Sequence, residues 1–152
     1  MIPLATHPMT GLPDPALQPA FYDGVPAKRL IAWLIDMVVV GLLILPIMIG
    51  TAFLAVFVVA QLFFVVGFVY RVLTLTGGSA TLGMRVMAIE FRDAHGHRFD
   101  FGQAFLHTLG YTISVAVAPL QLVSVAMMLL TERGQGLTDM VLGSTALNRQ
   151  AR

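Results

Sequence analysis

Apolar positions run through the middle of this chain in long stretches that carry almost no charge, and their length predicts membrane-spanning helices. From Leu30 to Ile49 the only charged residue is Asp36. At ~1.5 Å per residue such a stretch covers the ~30 Å hydrocarbon core of a bilayer. Pro46, Gly50 and Thr51 mark an uncharged turn, after which a second apolar run from Ala52 to about Leu73 is interrupted only by Gln61 and Arg71. The pair reads as a transmembrane helical hairpin, with helices at about 30–49 and 52–73. A third apolar region, about 104–130, is broken by Pro119 and softened by His107, Thr108, Thr112, Ser114, Gln121 and Ser124. Two full crossings need roughly 40 residues, so this region is either one tilted span or a broken helix that re-enters and returns. Return suits the positive charge of Arg133, Arg149 and Arg152 beyond it.

A shorter period appears between the apolar runs. Met87, Ile89 and Phe91 alternate with Ala88, Glu90 and Arg92, Asp93 to Gly96 carries turn residues, and alternation resumes through Phe99 and Phe101. This predicts a small cytoplasmic β-hairpin at about 84–101. Near the end, Leu137 to Leu147 reads as a short helix ending near Gly143 and then a strand at Thr145 to Leu147, able to join the hairpin if both lie on one side. The expected fold is therefore mainly α and integral to a membrane. Residues 28–148 form the membrane domain and 149–152 a short tail. Residues 1–27, with Pro3, Pro8, Pro13, Pro15, Pro19 and Pro26 and no helical period, are expected to be a disordered cytoplasmic tail. That tail lacks the basic start and short apolar region of a secretory signal, so the first helix is expected to be retained.

Composition supports the same picture. Hydrophobic residues make up 57% of the 152 positions and charged residues 11%, whereas soluble domains are about one quarter charged. A formal net charge of +1 offers no footprint for nucleic acid. Cysteine is absent, which excludes disulfides, thiol catalysis and cysteine-ligated metal. Lys28, Arg29, Arg71, Arg85, Arg92 and Arg98 all fall outside the turn between the first two helices, placing the N-terminus and the long loop in the cytoplasm by the positive-inside rule. The last three of those arginines also suit anionic lipid headgroups, although ordinary positive-inside bias explains them equally.

Asp36 is the most informative side chain. An aspartate inside a spanning helix costs ~3 kcal/mol on insertion scales, so something must compensate it. It reads either as a proton or cation site or as a buried residue that fixes helix packing. Arg29 shares its helix face but lies ~10 Å away along the axis, too far for a direct ion pair. Arg71 is the candidate neutraliser from the second helix, while Arg29 beside Trp33 also reads as an interfacial anchor. Near the end, Thr138 or Asp139 caps a short helix, or Asp139 supplies a second carboxylate at the membrane mouth. His107 is a packing residue or a proton relay. His95 and His97 read as solvated turn residues rather than metal ligands, and no metal or cofactor is expected. No nucleophile triad, glycosidase-like carboxylate pair, GxGxxG or P-loop appears, so no enzymatic activity is expected.

In combination these residues resemble the RDD family of bacterial membrane proteins, named for one arginine and two aspartates. Ala27-Lys28-Arg29 opening a helix that holds Asp36, the Gly77-Gly78 to Gly83-Met84-Arg85 entry, and Gly136-Leu137-Thr138-Asp139 at the close follow the family order. The likeness covers about 27–148. Thr138 stands where the family often has histidine, and His107 where it often has arginine. The resemblance implies Arg29, Asp36 and Asp139 as signature residues, with Arg71 and His107 as supporting candidates, in a bacterial cytoplasmic membrane. Transport of unidentified ligands is proposed for the family, and cation/proton antiport is ascribed to some members. The expected function is accordingly proton- or cation-linked transport, with Asp36 binding, Arg29 tuning its charge and Asp139 closing the site. The alternative is a non-transporting scaffold whose charges fix helix packing. Two or three spans scarcely enclose a pathway, so a homo-oligomer or larger membrane complex in the lipid bilayer is expected.

Overall fold

In the computed structural model, which describes residues 11–52 and 54–149, the first apolar run lies within α1 (Val25–Gly50). Pro26 sits in its first turn, where a missing N–H leaves no bond unmade, and the helix passes Pro46 without ending. A 3-10 turn at Leu54–Val58 leads into α2 (Val59–Gly78). This helix runs beyond Leu73 because the stop comes only at Ser79, whose left-handed backbone (φ 56°) lets its N–H bond to the Leu75 carbonyl. With their 3-10 extensions the two helices cover Pro19–Gly50 and Leu54–Gly78, each long and apolar enough to cross a membrane. Leu42, Val65 and Leu73 point outward, an apolar surface suited to hydrocarbon and not to water.

The third apolar region is two helices, α4 (Phe101–Ala116) and α5 (Ala118–Leu130), bent by 116° at Val117. Pro119 takes the first turn of α5, and the Ser114 hydroxyl reaches Gln121 across the bend at 3.0 Å. Broken, as expected, this pair packs its first arm against α2, with Phe68 edge-on to Phe105.

The expected β-hairpin is replaced by a different pairing. Thr81 caps a short helix, α3 (Leu82–Val86), by accepting from the Met84 N–H, so residues 84–86 are helical. Strand β1 (Ile89–Arg92) pairs antiparallel with β2 (Thr145–Asn148), Ile89 opposite Asn148 and Arg92 opposite Thr145. Between them, α6 covers Leu137–Leu142. The Asp93 turn does close, through Asp93 N–H to the His97 carbonyl, but the chain beyond it turns away. Asp100 accepts from the Gln103 N–H and so starts α4, while Phe99 is buried flat against Phe91, ring centroids 5.3 Å apart. The Phe99/Phe101 alternation is thus a packing anchor followed by a helix cap.

Residues 11–24 also differ from the tail expected there. The Gly11 N–H bonds to Ala94, the Tyr22 hydroxyl to Pro13, and the Asn148 amide to the Ala20 and Asp23 carbonyls, which fastens this segment to the sheet. Residues 1–10 and 150–152 lie outside the described residues. The main buried cluster, with Val25, Leu75, Ile89, Phe91 and Ala146 at its centre, sits where the helical hairpin meets α3 and the sheet.

Candidate functional site

Two buried aspartates organise that junction, and they are separate. Asp36 projects from α1 with 2% exposure. Its Oδ1 accepts from the Tyr70 hydroxyl at 2.6 Å and the Gly83 N–H at 2.8 Å, and its Oδ2 lies 2.5 Å from the Thr81 hydroxyl. All of these donors are neutral. The Tyr70 hydroxyl in turn accepts from the Leu82 N–H. One carboxylate therefore ties α1 to α2 and to the start of α3. The contact is close because residue 83 is glycine: a Cβ there would lie 2.1 Å from the Ala32 carbonyl oxygen.

Asp139 is held by charge. Its Oδ2 accepts from Arg29 Nη1 at 2.6 Å and from the Gly136 N–H at 3.0 Å. Its Oδ1 meets His107 Nε2 at 2.8 Å and the Ser144 hydroxyl at 3.3 Å. Arg29 also donates to the Gly134 carbonyl and lies over the Phe91 ring. Burial by itself pushes the Asp139 carboxyl up. The Arg29 guanidinium, with the His107 ring and the Gly136 N–H, outweighs that and holds it well below the usual carboxylate range. The imidazole sits against Phe91 and Phe99, and its buried Nδ1 has no partner among the described residues. An Nε2–H tautomer fits this best, since it leaves a bare lone pair in the apolar pocket rather than an unmet N–H.

These contacts revise the sequence reading in three places. Arg29 is the partner of Asp139, not a tuner of Asp36. Arg71 stacks over the Tyr111 ring, its guanidinium carbon 4.0 Å from the centroid, and among the described residues it makes no ion pair with Asp36. The cap of α6 is Gly136, with Asp139 three positions on and bonded back to it. His107 does join the site. His95 and His97 are exposed on the turn beside Asp93.

Tyr70, Thr81 and Ser144 join these sites without a place among the sequence candidates, and Gly83, a candidate only as part of the glycine-flanked segment, donates to Asp36. Thr81 had a readable signal, a threonine set three residues before the Met84 N–H it caps, which the strand-like alternation after Arg85 obscured.

The model of the RDD family matches residues 24–143. No curated protein and no solved structure matches the chain.

Proposed function

This chain belongs to the RDD family, and from that premise and the geometry of its signature residues we propose a non-transporting assembly module, anchored in a bacterial cytoplasmic membrane, that holds a rigid polar cap on the cytoplasmic side. One observation carries this reading. Each signature carboxylate is engaged on both oxygens: Asp36 by Tyr70 on α2 and by Thr81 and Gly83 at α3, and Asp139 by Arg29 and His107 from other helices together with Gly136 and Ser144 beside its own. Groups committed in this way fasten helices together rather than stand open to a passing ion. The positive residues Lys28, Arg85, Arg92 and Arg98 at the cap end support the cytoplasmic orientation. Assembly through the outward apolar faces, with further copies or a larger membrane complex, belongs to the same reading.

A second reading has its own support. Asp36 has no cationic partner among the described residues. Its contact with Thr81 works in either direction, since a protonated carboxyl can donate where the carboxylate accepts. This suits proton- or cation-linked transport.

Reconstituted vesicles separate the two. With a proton or potassium gradient imposed, the assembly reading expects wild-type vesicles to leak no faster than empty ones. Flux above that baseline that disappears in Asp36→Asn, with the variant still folded, establishes transport instead.

A further inference from the structure

The sheet carries a third charged cluster that neither aspartate explains. Glu90 on β1 is 5% exposed, and three arginines converge on its carboxylate. Arg92 donates from Nε at 2.9 Å and also from Nη2, Arg149 from Nε at 3.1 Å, and Arg98 from Nη2 at 3.4 Å. One arginine would suffice to neutralise one glutamate. Three guanidiniums against one carboxylate leave an excess of two positive charges, and Lys28 sits next door, bonded to Asn148.

The excess charge faces a cavity of about 610 Å³ whose wall includes Glu90, Arg92, Arg98, Arg149 and Asn148. Among the described residues lining it, Glu90 is the only carboxylate. Among the described residues Arg98 makes one long contact, and its side chain is 54% exposed, so most of its donors are uncommitted there. Arg149 is tied by Nε to Glu90 and by a 3.4 Å contact to the Gly78 carbonyl, which fixes its fork against α2. The volume falls in the range of small-molecule sites and is far larger than a single halide requires. The fork of Arg149, held against α2, and the uncommitted donors of Arg98 on the same cavity wall match the oxygens of a phosphate group.

We propose that this cavity binds a phosphate-bearing anion, with Arg98 and Arg149 contacting the phosphate and Glu90 holding the arginines in position. A phospholipid headgroup and a free phosphate compound present the same chemistry, and the site lies at the polar end of the hairpin where either has access. The inference does not depend on how the two aspartates act.

The test uses the full chain purified in detergent, in two arms. Inorganic pyrophosphate is titrated while thermal stability is followed, against sodium chloride of equal ionic strength. Separately, native mass spectrometry after incubation with equal phosphatidylglycerol and phosphatidylcholine reads which lipid stays bound. A saturable response to pyrophosphate identifies a soluble ligand, and selective retention of phosphatidylglycerol identifies a headgroup. In the responding arm, Arg98→Gln and Arg149→Gln should each weaken binding about tenfold, the loss of one charge-assisted contact. Arg98→Gln decides the matter if Arg149→Gln proves unfolded by circular dichroism, because the exposed Arg98 contributes little to the fold. The proposal is overturned if neither arm exceeds its control, or if folded Arg98→Gln binds as tightly as wild type.

Discussion

Asp36 and Asp139 are both almost fully buried, at 2% and 1% exposure, yet the chain stabilises them in opposite ways. Around Asp36 the described residues offer only a phenol, an alcohol and a backbone N–H. Around Asp139 a guanidinium supplies a full positive charge and an imidazole closes the other oxygen. The difference follows from position. Arg29 stands near the start of α1 and can reach out of it to α6, whereas Asp36 lies further into the helix, next to the cap of α3. A guanidinium offsets the cost of a buried carboxylate with a full opposite charge, whereas neutral donors offset it through several hydrogen bonds. Asp139 is therefore an electrostatic tie and Asp36 a hydrogen-bonding tie.

The sharpest way to break that contrast is Asp139→Ala, which leaves the Arg29 guanidinium in a site where its side chain is only 13% exposed. Loss of about 3–5 kcal/mol of folding stability is expected, read by denaturant titration in mixed micelles. Combining Arg29→Met with Asp139→Leu should cost clearly less than the sum of the two single changes; simple additivity would mean the pair is uncoupled.

Acid removes part of the same stabilisation. The folded Asp139 carboxyl titrates below its unfolded value, so its contribution is complete at neutral pH and is lost as pH falls below about 4. Melting temperature against pH should drop over that window in the wild type. In Arg29→Gln the drop should be shallower, and an unchanged slope would show that another group is responsible.

Gly83→Ala tests the other tie. The new methyl would meet the Ala32 carbonyl at 2.1 Å and Asp36 Oδ1 at 2.9 Å, so α3 must move off α1. A cost of about 1–3 kcal/mol is expected, measured by the same titration. The smallest effect should be that of Asp36→Asn, within about 1 kcal/mol, because an amide oxygen still accepts from Tyr70 and Gly83 while its N–H₂ donates to Thr81. The matching Asp139→Asn removes the charge facing Arg29 and should cost distinctly more. Equal losses for the two asparagine variants would erase the distinction.

Much of the architecture was legible along the chain. Both long helices, the break near Pro119 and the terminal strand at Thr145 to Leu147 follow from run length, proline placement and alternation. The sheet was legible in part: the terminal strand was open to joining the strand around Ile89 to Arg92, as it does, but the second hairpin strand through Phe99 and Phe101 does not form. Alternation through Phe99 and Phe101 satisfies a strand period, but Asp100 also satisfies a helix cap, and the choice depends on Phe91 being available to stack on Phe99. Likewise Arg71 and Tyr70 are neighbours on α2 that face different ways. Only the packing of α2 on α4 turns Arg71 toward Tyr111 and leaves Tyr70 for Asp36.

By itself the sequence determined that this chain enters a bilayer, and that a charged residue such as Asp36 within its first helix must be compensated. Both are properties of local composition, set by the ~30 Å of hydrocarbon and the cost of a carboxylate inside it. Which residue compensates which was decided by the tertiary structure alone. Arg29 and Asp139 are 110 positions apart, and Asp36 and Thr81 are 45 apart. Contacts across such separations depend on how helices and sheet are stacked, a choice made by the summed packing of many side chains and carried by no single segment.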